Sequence, residues 1–183
     1  MSWAAVLRKD LLAEARSRET LVPLLLLALL VGAVGLLAFH DVHDRAVVAS
    51  AVIWTALAFS AALALARAFG AERDRGTLDT LLALPIDRAA LFFGKSAASA
   101  ALLLATAALV LPLYYVASGD AAPAPAFVAF VVLGSIGLAL VGTMLSALAA
   151  QARSRDLMLP VLLFPLLVPL LIAAIHGTQE GEE

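Results

Sequence analysis

Long apolar runs separated by short polar stretches are the dominant pattern of this sequence. Each run is long enough to cross a hydrocarbon core roughly 30 Å thick as a helix, which takes about 20 residues. A helix also satisfies its own backbone hydrogen bonds, as any segment in lipid must. The pattern therefore predicts an all-α transmembrane bundle that forms a single domain over residues 1–183. The five predicted spans are residues 21–39, 46–66, 97–117, 127–150 and 157–175.

The first 20 residues have a different pattern, in which apolar positions recur with the period of a helix among charged ones. Trp3, Leu7 and Leu11 follow this spacing, and cations flank them. The segment 1–20 is therefore predicted to be an amphipathic interfacial helix lying among the lipid headgroups. A charged helix that docks on protein is the alternative. The run 21–39 has no small-residue cleavage site at its end, so it is interpreted as a retained span and not as a signal peptide.

Composition supports a membrane location. Hydrophobic residues make up 63% of the chain and the mean hydropathy is +1.02, whereas soluble domains are about 45–50% apolar. The excess has to face lipid. The chain contains no cysteine, which excludes disulfides, thiolate metal sites and cysteine nucleophiles.

The distribution of basic residues predicts the orientation of the chain. If the N-terminus is cytoplasmic and the five spans alternate, Arg45 is the one basic residue among 12 that lies outside. Cytoplasmic loops of membrane proteins are enriched in Lys and Arg. We therefore expect a cytoplasmic N-terminus and an outer C-terminal tail at residues 177–183.

The longest connection on the predicted cytoplasmic side is the loop at residues 70–88. Mixed charges open it, and Gly76 then precedes a short helix with Thr77 as its predicted N-cap and Asp79 in its first turn. Pro85 ends this helix, because the residue before a proline avoids the helical conformation. So short a helix is not stable alone. A membrane surface or a partner protein must therefore cover its apolar face, which consists of Leu78, Leu81 and Leu82.

One tripeptide in the sequence invites a nucleotide-binding interpretation. Gly94-Lys95-Ser96 matches the end of a P-loop, but that motif requires a glycine where this chain has Ala89, and no strand is predicted before it. The sequence therefore predicts no nucleotide site. Lys95 is interpreted instead as a snorkelling side chain at the start of the third span, whose ammonium reaches the inner interface.

Two histidines are weak candidate ligands for haem or a metal ion. His40 and His43 lie in the first predicted outer loop, where imidazoles could coordinate iron. The alternative is that they are ordinary polar residues of an outer loop. The centres of the predicted spans contain no Asp, Glu, Lys, Arg or His. Because ion-coupled transport and catalysis need such groups, the chain is not expected to generate its own driving force or to be an enzyme.

Two predicted spans carry residues suited to helix packing. A stripe of small residues in the fourth span would let a neighbouring helix approach closely, although an alanine-rich chain can produce such a stripe by chance. Its members are Ser135, Ala139, Gly142, Ser146 and Ala150. The fifth span contains three prolines that are predicted to bend it. These are Pro160, Pro165 and Pro169.

The loop at residues 70–88 and the start of the third span resemble a known family of membrane proteins. The residues that carry the resemblance are Glu72, Gly76, Thr77, Leu78, Asp79, Leu81, Leu82, Pro85, Gly94 and Lys95. They are similar to the cytoplasmic loop of type-2 ABC exporter permeases. Within that group the whole chain is most similar to the CcmB family, the haem exporter B permeases of cytochrome c maturation. Three further stretches support this, at residues 7–16, 66–72 and 159–169.

The resemblance implies a part in ATP-driven transport in the bacterial inner membrane. In this family the short loop helix docks into a separate ATPase subunit, here CcmA-like, which binds and hydrolyses ATP. The implied docking residues are Glu72, Gly76, Thr77, Leu78, Asp79, Leu81, Leu82 and Pro85. Haem is the implied cargo. The implied partners are the ATPase, other haem-handling membrane subunits and membrane lipid, with no nucleic acid.

The resemblance leaves two versions of the function open, haem export and ATP-driven release of a haem-loaded chaperone. Family members usually have one span more than the five predicted here, so the chain is expected to be a shortened or an incomplete member. A general type-2 exporter of a drug, lipid or polysaccharide and a non-transport scaffold are the alternatives. Co-purification separates these, since an ATPase supports either exporter and haem-handling partners support only the first.

Overall fold

The computed structural model describes residues 3–38, 45–70, 76, 87–118 and 125–150, together with residues 165, 168, 172 and 173. This described part of the chain contains five α-helices and no strand, which confirms the all-α fold class. The helices are α1 (Trp3–Ser17), α2 (Leu21–Ala38), α3 (Arg45–Ala68), α4 (Arg88–Ser118) and α5 (Pro125–Ala150).

Three of these helices are long and apolar enough to cross a membrane. The qualifying segments are Ser50–Ala68 in α3, Arg88–Leu113 in α4 and Phe127–Ala149 in α5. The predicted span 21–39 forms α2, which qualifies together with α1, although the two helices are bent by 73° at the break between them. The described residues therefore hold three membrane-crossing helices, or four if the bent pair is one span.

The predicted fifth span falls largely outside the described residues. Pro165 has a helical backbone, whereas Pro160 and Pro169 are not among the described positions. The predicted bending of this span by its prolines, and the total of five spans, therefore stay predictions.

Helix α4 begins at Arg88 and not at residue 97, where the third span was predicted to start. Asp87 caps this earlier start, because its Oδ1 accepts a hydrogen bond from the Ala89 N–H at 3.1 Å. Its backbone oxygen accepts from the Leu91 N–H at 3.1 Å. The helix thus extends before the predicted apolar run, because Lys95 interrupts the run while leaving the helix intact.

The turn between α1 and α2 is fixed by hydrogen bonds around one carboxylate. Glu14 Oε1 accepts from the backbone N–H groups of Thr20 and Leu21 at 2.8 and 2.6 Å. These N–H groups belong to the start of α2, where no intrahelical acceptor exists and negative charge is favourable. Arg18 lies between the helices with φ of 55°, the left-handed conformation that commonly ends a helix. Glu14 of α1 therefore sets the direction in which α2 leaves.

Helix α4 packs against each of the other four described helices, and α3 packs against α2, α4 and α5. Two apolar clusters occupy the space between them. One surrounds Trp54 and Phe127, and the other surrounds Leu65 and Leu103. Because these side chains are fully buried, the bundle has a packed interior to which α2, α3, α4 and α5 all contribute.

Close contact between α3 and α5 depends on small residues of α5. Gly134 lies against the indole of Trp54, and Gly142 lies against Leu65. Ser146 Oγ donates a 2.6 Å hydrogen bond to the backbone oxygen of Leu65. The predicted small-residue stripe is thus a real packing face over its described members, and α3 and α5 run parallel along it.

Candidate functional site

The loop at residues 70–88 leaves the end of α3 and returns at the start of α4. We call the region where these two helix ends meet α1 the junction. Within the loop the structure describes Gly76, which is exposed and has φ of +67°. Residues with side chains rarely adopt that conformation. The other predicted docking residues lie outside the described residues: Glu72, Thr77, Leu78, Asp79, Leu81, Leu82 and Pro85.

Lys95 is the central side chain of the junction. Only 3% of its surface is exposed, and its Nζ donates a 2.7 Å hydrogen bond to the backbone oxygen of Ala68, at the end of α3. The same Nζ lies 3.2 Å from Asp10 Oδ2 on α1 and 5.3 Å from the centre of the Phe69 ring. One ammonium therefore joins α4 to both α3 and α1.

The predicted snorkelling of Lys95 is wrong for a physical reason. Snorkelling carries an ammonium to water when the protein offers it no partner. Here the junction supplies a carboxylate, a carbonyl at a helix C-terminus, where cations are favourable, and an aromatic face. The charge of Lys95 is consequently satisfied inside the protein.

Gly94 explains how α1 comes close enough for this contact. A Cβ at this position would lie 2.6 Å from Val6 Cβ and 2.8 Å from the backbone oxygen of Trp3. Val6 itself is buried in a small apolar cluster with Phe69 and Leu91. The pair Gly94-Lys95 thus acts as a unit, because the glycine admits the backbone of α1 and the lysine binds the Asp10 carboxylate of that helix.

A second contact ties the end of α3 to the turn after α1. Arg67 Nη1 donates a 2.8 Å hydrogen bond to the backbone oxygen of Glu19. This contact is exposed and is weaker than a buried one. It joins the end of α3 directly to the turn after α1, whereas Lys95 links α3 and α1 through α4, so the junction is held at two points.

The junction contains a cavity of about 150 Å³ beneath α1. Three acidic and three basic side chains line it, so neither sign of charge dominates. Pockets for drug-sized ligands have volumes of roughly 300–1,000 Å³. This cavity is therefore too small for haem, and its geometry suits a joint between helices better than a cargo site.

His40 and His43 lie outside the described residues. Among the positions that are described, no group of three or more His, Cys, Asp or Glu side chains could hold a metal ion.

Sequence reasoning missed the pairing of Asp10 with Lys95 and the capping roles of Glu14 and Asp87. Two signals were available. A lysine inside a helical apolar run needs a partner, and an aspartate directly before such a run is a preferred N-cap. Neither signal identifies a partner on another helix, because the pairing of helices is set by tertiary packing.

These features define the class of the molecule. It is a multi-pass helical membrane protein in which Lys95 joins the two helices that flank the long loop. The same lysine binds an N-terminal helix, which lies at 73° to the next helix.

The chain belongs to the CcmB family, since residues 1–182 match the family described as CcmB protein. It is also similar to the Heme exporter protein B of Rhodobacter capsulatus. The two are 31% identical over 139 residues, which cover 74% of this chain and 63% of the relative. The match thus spans less than two thirds of the relative's length. No solved structure matches this chain.

Proposed function

We propose that this chain is the permease subunit of an ABC transporter that handles haem for c-type cytochrome maturation. The observation that carries the proposal is the match to the CcmB family along residues 1–182. The name of the Rhodobacter relative, Heme exporter protein B, supports haem as the cargo. A general exporter of drugs, lipids or polysaccharides would not be expected to match this family over its whole length.

In this proposal the chain is not an enzyme and the chemistry of ATP takes place on a separate, CcmA-like subunit. The support comes from the sequence, where Ala89 occupies the position at which a P-loop requires glycine. The chain would work with this ATPase and with further haem-handling membrane subunits in the bacterial inner membrane. The distribution of basic residues supports a cytoplasmic N-terminus.

The helix predicted at residues 77–84 is the proposed docking element for the ATPase. Its apolar face would enter a cleft of the partner, and each buried leucine would contribute at most about 1.5–3 kcal/mol. The flanking charges would orient the partner more than they would strengthen binding. The hydrogen bond between Lys95 and Ala68 supports this role, because it ties together the two helices that the loop connects.

A double substitution tests the docking element. We expect Leu81→Asp with Leu82→Asp to detach the ATPase and abolish c-type cytochrome formation while the permease still inserts normally. The control is Thr80→Asp with Ala83→Asp, which adds the same charge on the opposite face of the predicted helix. If the first pair retains its ATPase at wild-type level, the docking face lies elsewhere.

Deletion and complementation test the function itself. We expect a strain without this gene to lose haem-stained c-type cytochromes and to regain them with the wild-type chain. Normal c-type cytochromes in the deletion strain would refute the proposal. The state of the haem chaperone without ATP then distinguishes the two versions of the function. If the complex releases the chaperone, haem-loaded chaperone accumulates on the complex. If the complex exports haem, the chaperone receives no haem.

A further inference from the structure

The buried Lys95 and its partly buried partner Asp10 connect the helices on either side of the loop to α1. The loop leaves α3 beyond Ala68 and returns to α4 at Arg88, two turns before Lys95. Lys95 binds the backbone oxygen of Ala68 at 2.7 Å. One ammonium therefore ties the end of α3, just before the loop, to α4, two turns after the loop, and that ammonium also binds α1 through Asp10.

This contact is stiff. The side chain of Lys95 is 4% exposed and that of Asp10 is 18% exposed. Charge-assisted hydrogen bonds at such low exposure are stronger and less screened than surface pairs. Gly94 adds to the stiffness, because it lets the backbone of α1 lie directly on α4. The end of α3, the start of α4 and α1 are thus expected to move as one body.

The same face of α1 continues the connection to α2. Asp10 and Glu14 are one helical turn apart and share a face. Asp10 binds Lys95 of α4, and Glu14 binds the first N–H groups of α2 at 2.8 and 2.6 Å. A shift of α1 along its axis would therefore act on the first turn of α2, which meets α1 at 73°.

We propose that Lys95 and Asp10 form a positioning clamp that transmits displacement of the loop at residues 70–88 to α1 and, through Glu14, to the first turn of α2. This inference rests on the proposed function, in which an ATPase displaces the loop. In this role Lys95 and Asp10 position helices and need no contact with ATP or cargo. Their role is to make α1 move with the loop, so that displacement of the loop does not merely bend the chain at the two ends of the loop.

The test separates transmission from stability in the full complex with its ATPase. Lys95→Met keeps the length and apolar stem of the side chain and removes the ammonium. Lys9→Met is the matched control, because Lys9 Nζ also lies 3.2 Å from Asp10 but its side chain is 47% exposed. Such an exposed pair contributes little.

Spin labels at Ala15→Cys on α1 and Leu148→Cys on α5 report the movement. Both positions are exposed, and the chain has no cysteine of its own. We expect the distance between the labels to differ between the nucleotide-free and the ATP-trapped wild-type complex. In the Lys95→Met complex the ATPase should still bind the permease and hydrolyse ATP, but the distance change between the labels should be lost. The yield of c-type cytochrome should fall by at least roughly fivefold, the lower end of typical coupling factors.

Lys9→Met should behave as the wild type. A Lys95→Met complex that keeps both the distance change and the cytochrome yield would overturn the clamp. If the Lys95→Met protein does not accumulate, Asp10→Asn tests the clamp by the same two readouts. This variant leaves the hydrogen bond from Lys95 to the backbone oxygen of Ala68 in place. Failure of the proposed function gives a different result, in which no ATPase co-purifies with the wild-type chain.

Discussion

Gly134 of α5 lies directly against the indole ring of Trp54, so that a Cβ at this position would overlap the ring. Trp54 is fully buried and its ring is rigid, so it cannot yield without shifting α3. We expect Gly134→Ala to lower the free energy of unfolding by about 1–3 kcal/mol, the usual effect of overpacking a core. Thermal unfolding of the purified protein in detergent measures this change.

Gly137, one turn along the same helix, provides the control for Gly134. A Cβ there would meet no atom within 4 Å. Since alanine favours a helix over glycine by about 0.5–1 kcal/mol, Gly137→Ala should be neutral or slightly stabilising. Equal melting temperatures for the two variants would show that α3 and α5 are not tightly packed at Trp54.

Removal of the Glu14 carboxylate should loosen the turn between α1 and α2. Glu14→Ala leaves the N–H groups of Thr20 and Leu21 without their acceptor. Loss of a helix cap typically costs about 0.5–2 kcal/mol, so the melting temperature should fall by roughly 2–4 °C for each kcal/mol lost. Glu14→Gln keeps one acceptor oxygen and should lose less.

Glu19 supplies the control for this variant. Its side chain is exposed, and the atom that Arg67 binds is its backbone oxygen, which Glu19→Ala retains. If Glu19→Ala and Glu14→Ala lower the melting temperature equally, the effect is one of net charge and not of capping.

Cysteine labelling checks the predicted orientation. A chain without native cysteine allows single cysteines to be placed at residues 43, 120, 180, 74 and 154. We expect the first three to react with an impermeant reagent from outside, and the last two only from the cytoplasmic side. The physical reason is the concentration of basic residues on one side of the predicted spans. Reversed accessibility at two of these positions would contradict the orientation.

The two histidines of the first predicted outer loop are expected to be dispensable for direct haem binding. His40 and His43 belong to a short polar stretch of ordinary composition. Absorption spectra of the purified complex should therefore show the same haem content for His40→Ala and His43→Ala as for the wild type. A loss of haem in either variant would assign that histidine as an axial ligand.

Much of the helical architecture could be predicted from the apolar runs alone. The predicted spans 21–39, 46–66 and 127–150 agree with α2, α3 and α5 to within two residues at each end. Long apolar runs bounded by polar residues have no other way to satisfy their backbone in lipid. The ends of these helices are therefore marked by the sequence itself.

The junction could not be predicted in the same way. A charge inside lipid is unfavourable, so the sequence pattern places the start of the third span after Lys95. The acceptors of this lysine, Asp10 and the backbone oxygen of Ala68, are distant in the sequence, and no local pattern connects them to it. Periodicity predicted that residues 1–20 form a helix, but the face that α1 turns toward α4 depends on the close approach at Gly94.

The distance in sequence between Asp10 and Lys95 also orders the synthesis of the chain. Asp10 is synthesised long before Lys95. The contact between α1 and α4 can therefore form only after α2, α3 and α4 have been synthesised. When α4 enters the membrane, its lysine arrives at a carboxylate that is already in place. Because α5 follows α4 in the sequence, the same contact can form before α5 has been synthesised.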